Sequence, residues 1–186
     1  MYIFQFNYVF IELILLIIME RPSKDDYYLN LALETSKRST CNRRHFGAII
    51  VKDDSIISCG YNGPVRGAPN CLEYECLKNK NKKDAGKGYD YCRAGPMHAE
   101  VNAIVNAARN NGGTLDSVIY IAGEFSGDRI GLSDSYPCKG CQKEIINAGI
   151  EKVVIRMSDK SIQSFLVNDW IEEAKSTEDK DIKGFY

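Results

Sequence analysis

Residues 96–104, PMHAEVNAI, place a histidine and a glutamate two residues apart at the head of a segment with helical periodicity. Proline is suited to the first turn of a helix, and we predict a helix from Pro96 to about Arg109, before an Asn/Gly-rich stop. In a regular helix, side chains two residues apart point to nearly opposite sides. His98 and Glu100 therefore fit a joint role only if both converge on something near the helix's N-terminal end.

A second proline-led motif, Pro137-Cys138-Lys139-Gly140-Cys141, begins another predicted helix. Thiolates are stabilised at the positive end of a helix dipole. One histidine and two cysteines form a three-ligand zinc site whose fourth position stays open, as catalytic zinc requires. We therefore predict that His98, Cys138 and Cys141 bind a catalytic zinc ion, and that Glu100 points at the water in the open position.

Each motif alone has an ordinary explanation. A C-x-x-C pair is often structural or redox-active, and an isolated H-x-E carries little information. Their joint occurrence, each after a proline at the head of a helix, favours the catalytic zinc interpretation. A thiol oxidoreductase would leave His98 and Glu100 unexplained. A zinc-binding regulatory module without catalysis would not need Glu100.

The remaining pattern alternates helices and strands. Helices are predicted at 23–38, 96–109 and 138–148, strands at 46–51, 56–60, 117–122 and 152–156, and a short strand and helix within 162–174. Residues 123–137 are predicted to form a polar loop. This order predicts an α/β protein with a mixed sheet and helices on its faces.

Residues 64–95 are predicted to form an insertion rich in Gly, Lys and Cys. The chain has seven cysteines, and an odd number without a secretion signal favours metal binding in a reducing, cytoplasmic setting over disulfides. Four of them could close a structural zinc site that orders the insertion: Cys41, Cys71, Cys76 and Cys92. The alternative is free or partly buried cysteines. Cys59, inside a strand, is expected to be a small core residue.

The length of 186 residues and net charge of -1 suit one domain and give no indication of nucleic-acid binding, which usually requires a basic surface. The apolar N-terminal run is interrupted by Glu12, is short for a membrane span and lacks signal-peptide features. We predict that residues 1–18 are an extension outside the fold, with Met19 as a competing start and a domain over 19–186. A membrane anchor is the alternative.

Three stretches together resemble the deoxycytidylate (dCMP) deaminases of the cytidine deaminase superfamily. They are RSTCNRRHFGAIIVKDDSIISCGYNGPVRG (38–67), CRAGPMHAEVNAI (92–104) and PCKGCQKEIINAGIEKVVI (137–155). The combination H-x-E and P-C-x-x-C is also the signature of zinc nucleobase deaminases. The resemblance implies a three-layer α/β/α fold around a mixed five-stranded sheet, and hydrolysis of dCMP to dUMP and ammonia, which supplies thymidylate synthesis.

The resemblance also implies individual roles. His98, Cys138 and Cys141 would ligate zinc, Glu100 would shuttle protons, and Asn62 would hydrogen-bond the sugar. Many members carry a second zinc ion on cysteines placed like Cys41, Cys71, Cys76 and Cys92. Many are homo-oligomers, often hexamers, activated by dCTP and inhibited by dTTP.

The substrate phosphate also needs a binding group. Arginine forks suit phosphate, and the candidates are Arg43, Arg44 and Arg66. The resemblance implies that residues 123–136, GEFSGDRIGLSDSY, border the base pocket, and this segment is longer than in many members of the family. Another cytosine nucleoside or nucleotide, or adenosine in tRNA, is therefore the alternative substrate, although the near-neutral charge disfavours tRNA.

Overall fold

A computed structural model describes residues 21–81, 97–127 and 130–176. The strands are β1 Arg44–Lys52, β2 Ser55–Tyr61, β3 Val118–Phe125, β4 Lys152–Arg156 and β5 Ile162–Leu166. The helices are α1 Lys24–Ser36, α2 Leu77–Lys80, α3 Ala99–Arg109, α4 Lys139–Asn147 and α5 Val167–Ser176, with a 3-10 turn at Cys71–Glu73. Apart from α2 and the 3-10 turn, which lie in the predicted insertion, the order of helices and strands agrees with the sequence-based prediction.

The strands form one mixed five-stranded sheet in the order β2-β1-β3-β4-β5. β3 and β4 are parallel, whereas β1 is antiparallel to both of its neighbours and β5 is antiparallel to β4. A tight turn joins β1 to β2, and its central residues Asp53 and Asp54 have φ angles of 48° and 60°. Aspartate tolerates this left-handed conformation better than most side chains, which suits a short hairpin turn.

Alternation of side chains gives the sheet two different faces. The three-helix face, covered by α3, α4 and α5, buries Ile50, Ile121 and Ile155. The α1 face, covered by α1, buries Ile49, Val154 and other residues of alternate register. Helices therefore pack on both sides of the sheet, which confirms the predicted three-layer α/β/α architecture.

Two glycines allow helices to approach the sheet closely. A Cβ atom at Gly60 of β2 would lie 2.3 Å from the backbone nitrogen of Ala103 and 2.5 Å from the carbonyl oxygen of Ala99, both in α3. A Cβ atom at Gly47 of β1 would lie 1.9 Å from the carbonyl oxygen of Ala32 in α1. Because these positions lack a side chain, the backbones of α1 and α3 can pack directly against the sheet. α3 is the helix that follows His98.

Three local predictions were wrong. β3 continues to Phe125, and the chain then returns beside it, where the amide of Ser133 donates to the carbonyl of Gly123 at 2.9 Å. Residues 123–125 therefore continue β3, because they pair with β1. Of the described residues after them, 131–133 run back beside the strand and do not form the predicted polar loop. Helix α3 begins at Ala99, and Pro96 lies outside the described residues. Cys59 is exposed, because its side chain lies on the face of the edge strand β2 opposite the face that α3 covers.

None of the helices within the described ranges has the length and apolar composition needed to cross a bilayer. Residues 1–18 lie outside those ranges. Their assignment as an extension or an anchor stays a prediction.

Candidate zinc and catalytic site

The candidate metal ligands lie at the N-terminal ends of α3 and α4. His98 is the residue that caps α3, and its backbone is extended, with φ -74° and ψ 158°. It therefore lies just outside the helix, and Glu100 lies in the first turn. The rule that residues two apart diverge applies only within a helix, so these two side chains can serve one site.

Backbone contacts fix the approach to His98. The amide of Gly63, just beyond β2, donates to the carbonyl of Met97 at 3.2 Å. The carbonyl of His98 in turn accepts the first helical hydrogen bond of α3, from the amide of Asn102 at 3.0 Å. The histidine is held from both sides by the main chain.

Cys138 occupies the corresponding position in α4. Its sulfur accepts a hydrogen bond from the amide of Cys141 at 3.5 Å, so a side chain that is a candidate ligand also caps the helix. Pro137 before it is fully buried. Both proline-led motifs therefore present a donor atom at a helix N-terminus, as predicted from the sequence.

The three donor atoms are close enough to share one ion. Nδ1 of His98 lies 3.2 Å from Sγ of Cys141 and 3.5 Å from Sγ of Cys138, and all three atoms lie within 4.8 Å of one another. Tetrahedral zinc, with bonds of about 2.0 Å to nitrogen and 2.3 Å to sulfur, separates its ligand atoms by about 3.5–3.8 Å. The residues therefore fit a zinc ion bound through Nδ1 and two thiolates.

The protonation of the cluster follows from these contacts. Hydrogen bonds from the Cys141 thiol and from His98 lower the pKa of Cys138, whereas the Cys138 sulfur and burial raise the pKa of Cys141. The hydrogen bond with Cys138 also raises the pKa of His98. Without metal, the two sulfurs thus favour sharing one proton, and a bound metal ion would displace it.

Glu100 is buried, with 6% of its surface exposed. Burial raises the pKa of its carboxyl group, and a hydrogen bond with Cys141 partly opposes that effect. A buried carboxyl whose pKa is raised is suited to accept and return protons near neutral pH. Its position beside the ligand set matches the predicted proton-transfer role.

Asn62 links the end of β2 to the beginning of β1. Its Oδ1 accepts from the amide of Phe46 at 2.8 Å, and its Nδ2 donates to the carbonyl of Arg44 at 3.0 Å. One amide hydrogen and one lone pair remain for other partners. Asn62 therefore has a structural role that sequence reasoning missed, and its contact with the sugar stays a prediction.

The three candidate phosphate ligands differ in their surroundings. Arg44 lies on the three-helix face at the start of β1, with its guanidinium 5.1 Å from the centre of the Phe125 ring. Arg66 donates to the side chain of Asn106, on the outer side of α3. Arg43 precedes β1, and its carbonyl accepts from the amide of Ser126 at 3.1 Å. The ring beneath Arg44 was not anticipated, because it depends on the extension of β3.

The structure does not gather the sulfur atoms of the described residues Cys41, Cys71 and Cys76 into one metal-competent cluster, although two of the segments that carry them are neighbours. Nδ2 of Asn42 donates to the carbonyl of Cys71 at 3.0 Å, so the segments that carry Cys41 and Cys71 are neighbours. Within the described residues, the metal-competent cluster is that of His98, and Cys92 lies outside those residues. The second zinc site therefore stays a prediction.

Residues 22–157 match the family described as the cytidine and deoxycytidylate deaminase zinc-binding region. The deoxycytidylate deaminase of Schizosaccharomyces pombe is 35% identical over 138 residues, which are 74% of this chain and 38% of that protein. The deoxycytidylate deaminase of Mycobacterium phage D29 is 32% identical over 141 residues, or 73% of this chain and 96% of that protein. This chain therefore spans about two fifths of its fission-yeast relative but nearly all of its phage relative.

The crystal structure of dCMP deaminase from the cyanophage S-TIM5 in complex with dCMP and dUMP superposes with a TM-score of 0.55 and 27% identity. The superposition covers 74% of this chain and 84% of that one. Residues 22–157, which match the family, include strands β1 to β4, both proline-led motifs and Glu100. This chain belongs to the zinc-binding family of cytidine and deoxycytidylate deaminases.

Proposed function

We propose that this protein hydrolyses dCMP to dUMP and ammonia at a zinc ion held by His98, Cys138 and Cys141. The observation that carries the proposal is the buried carboxyl of Glu100 beside a ligand set whose spacing fits zinc. Relatives named deoxycytidylate deaminase, one with dCMP and dUMP bound in its crystal structure, support the choice of substrate.

Zinc held by this ligand set supplies the Lewis acidity that activates water near neutral pH. Glu100 accepts a proton from the water that adds to the amino-bearing carbon of cytosine, and delivers it to the ring nitrogen. It then accepts the proton of the added hydroxyl group and delivers it to the departing amine. The carbon–nitrogen bond breaks, ammonia leaves and the carbonyl of uracil forms. Burial of Glu100 supports this role, because the carboxyl must exist in both protonation states during one turnover.

Arg44 is the arginine whose surroundings best support phosphate binding. It lies on the three-helix face, where His98 and Cys138 also lie, and the Phe125 ring holds its guanidinium without using its hydrogen-bond donors. The guanidinium of Arg66 already donates a hydrogen bond to the side chain of Asn106. We expect Arg44→Ala to reduce the preference for dCMP over deoxycytidine by about tenfold or more, the worth of a charge-assisted hydrogen bond. Arg66→Ala serves as the matched control.

A second, structural zinc ion on Cys41, Cys71, Cys76 and Cys92 is part of the proposal. The hydrogen bond between Asn42 and Cys71 supports it, because it joins two of the segments concerned. Metal analysis of purified protein should give two ions per chain. Cys71→Ser and Cys138→Ser should each lose one ion, and only Cys138→Ser should lose the catalytic one. A stoichiometry of one that Cys71→Ser leaves unchanged would exclude the second site.

Assembly into homo-oligomers such as hexamers, activation by dCTP and inhibition by dTTP are finer parts of the proposal, and they rest on family membership. Addition of either nucleotide to the activity assay tests regulation.

The decisive experiment is ammonia release by the purified, zinc-loaded protein from dCMP, deoxycytidine, CMP and cytidine in parallel. Release that is fastest from dCMP is the expected result. Release from another cytosine substrate alone would keep the chemistry but change the substrate. No release from any of them, by protein shown to hold zinc, would contradict the proposed activity. Adenosine in tRNA would then be the next substrate to test.

A further inference from the structure

The two edges of the sheet are protected very differently. β2 and β5 are the edge strands. A strand at an edge presents a row of backbone groups that are available to another chain unless something covers them. Among the described residues, side chains cover one of these rows and not the other.

Asparagines of α3 cover the β2 edge. The amide of Asn62 donates to the carbonyl of Phe46 in β1. Since alternate residues of an antiparallel strand bond to the same neighbour, the backbone groups of Cys59 and Tyr61 point away from β1. The carbonyl of Tyr61 accepts from Nδ2 of Asn102, and that of Cys59 accepts from Nδ2 of Asn106, each at 2.7 Å. A further strand could not pair with β2 without displacing both amides.

The β5 edge has no equivalent cover in the described part of the chain. The amide of Val167 donates to the carbonyl of Glu151, and that of Met157 to the carbonyl of Ser161, each at 2.9 Å. The odd-numbered residues of this segment therefore bond to β4, and the backbone groups of Ile162, Ser164 and Leu166 point away from it. No described side chain hydrogen-bonds them.

The composition of β5 is that of an unprotected edge. Residues 161–167, SIQSFLV, contain no charge, glycine or proline, the devices that usually keep edges apart. Ile162 is 36% exposed and Leu166 is 52% exposed. Both side chains lie on the α1 face, where α1 covers the neighbouring strand β4 but leaves β5 bare.

We propose that β5 pairs antiparallel with β5 of a second copy of this chain, about a two-fold axis at Ser164. The strand is self-complementary in that register: Ser164 lies opposite its equivalent, and Ile162 lies opposite Leu166 of the other copy. The Ser164 pair exchanges two backbone hydrogen bonds. In each outer pair the amide of Leu166 donates to the carbonyl of Ile162, because the carbonyl of Leu166 accepts the first hydrogen bond of α5. The exposed apolar side chains bury each other on the α1 face, and no like charges meet along the strand.

Hydrogen exchange on the full, zinc-loaded chain distinguishes this partner from the chain's own termini. The amide of Ser164, followed in peptides covering 161–167, should gain protection as protein concentration rises, together with a rise in sedimentation mass. Protection of Ser164 in protein whose sedimentation mass is that of a monomer would mean that the chain itself covers the edge, and would overturn the proposal. Absence of protection at every concentration would also overturn it.

A substitution at the axis gives an independent test. Ser164→Pro removes an outward N–H without touching the β4 ladder, and proline is tolerated at such edge positions. Two hydrogen bonds per dimer are lost, so the dissociation constant of this contact should rise about tenfold or more. Ser164→Thr keeps the N–H, and Ile56→Lys alters the covered edge instead. Both should associate like the wild type.

Circular dichroism establishes whether Ser164→Pro is folded. If it is not, the pair Ile162→Lys and Leu166→Lys, which places charges on the same edge, replaces it. A folded edge variant that associates as tightly as the wild type would overturn the proposal.

Discussion

The two faces of the sheet hold their helices by different means. On the three-helix face, α3 meets β2 through Gly60 and alanines, with backbone close to backbone. On the α1 face, buried polar side chains join strands to α1, and α1 to the β1–β2 turn. The comparison indicates that the first face fixes the geometry of the site, whereas the second contributes mainly to stability.

The polar contacts of the α1 face are specific. The hydroxyl of Tyr28 lies 2.9 Å from the carbonyl oxygen of Asp54 and 3.0 Å from its carboxylate. The hydroxyl of Tyr120 donates to Asp25 at 3.1 Å. Arg156, which is buried, forms an ion pair with Asp26 at 3.1 Å. These groups lie on the face of the sheet opposite α3 and α4, which carry the candidate ligands, so substitutions on this face should change stability without changing the chemistry.

The largest effect is expected for Glu100→Gln. Glutamine keeps the size of the side chain but cannot shuttle protons, so the rate of dCMP deamination should fall by a factor of about 10²–10⁴. Zinc content should not change, because Glu100 is not a ligand. Ammonia release and metal analysis of the same sample measure both. The exposed Glu144→Gln in α4 is the control, and near-normal activity of Glu100→Gln would contradict the mechanism.

Gly60→Ala tests whether the three-helix face fixes the site. The new Cβ would lie 2.3 Å from the nitrogen of Ala103, so α3 must shift, at a cost of about 1–3 kcal/mol in unfolding free energy. His98 and Glu100 move with this helix, and kcat/KM should fall by about tenfold or more. Thermal unfolding and ammonia release measure the two effects.

Gly113→Ala is the matched control for that variant, because no atom lies within 4 Å of the position that its Cβ would take. It should change neither quantity appreciably. If Gly60→Ala lowered stability but left kcat/KM unchanged, the contact of α3 with β2 would be structural only, and the contrast between the faces would fail.

Features that depend on a short motif could be predicted from the sequence, whereas features that depend on pairing of distant segments could not. The cluster of His98, Cys138 and Cys141 was predictable because each donor belongs to a short motif with a proline and a helix start. The close approach at Gly60 and the ring beneath Arg44 were not, because both depend on pairing between distant segments. The exposure of Cys59 was missed for the same reason: a strand's sequence does not show that it lies at an edge.

A smaller effect is expected for Tyr120→Phe on the α1 face. The change removes the hydrogen bond to Asp25 and should cost about 1 kcal/mol, or about 2–4 °C in Tm. Activity towards dCMP should stay normal. Asp25→Asn, alone and combined with Tyr120→Phe, completes a double-mutant cycle. A loss of kcat/KM comparable to that of Gly60→Ala would show that the α1 face also controls the site.

The smallest effect is expected for Asp54→Asn in the β1–β2 turn. Hydrogen bonds from Lys24 and then Tyr28 lower the pKa of Asp54, so its ionised form stabilises the fold above the unfolded-state pKa of about 3.9. Asparagine tolerates the φ of 60° as well as aspartate does, so backbone strain should not differ. The Tm difference from wild type should therefore be present at pH 7 and shrink as pH falls through about 4. Asp53→Asn removes the same charge from the same turn without these two hydrogen bonds, and it should lower the Tm at pH 7 by less than Asp54→Asn does. If both variants behaved alike, the contribution would come from net charge, and the Tyr28 contact would not be one of the bonds that anchor α1 to the sheet.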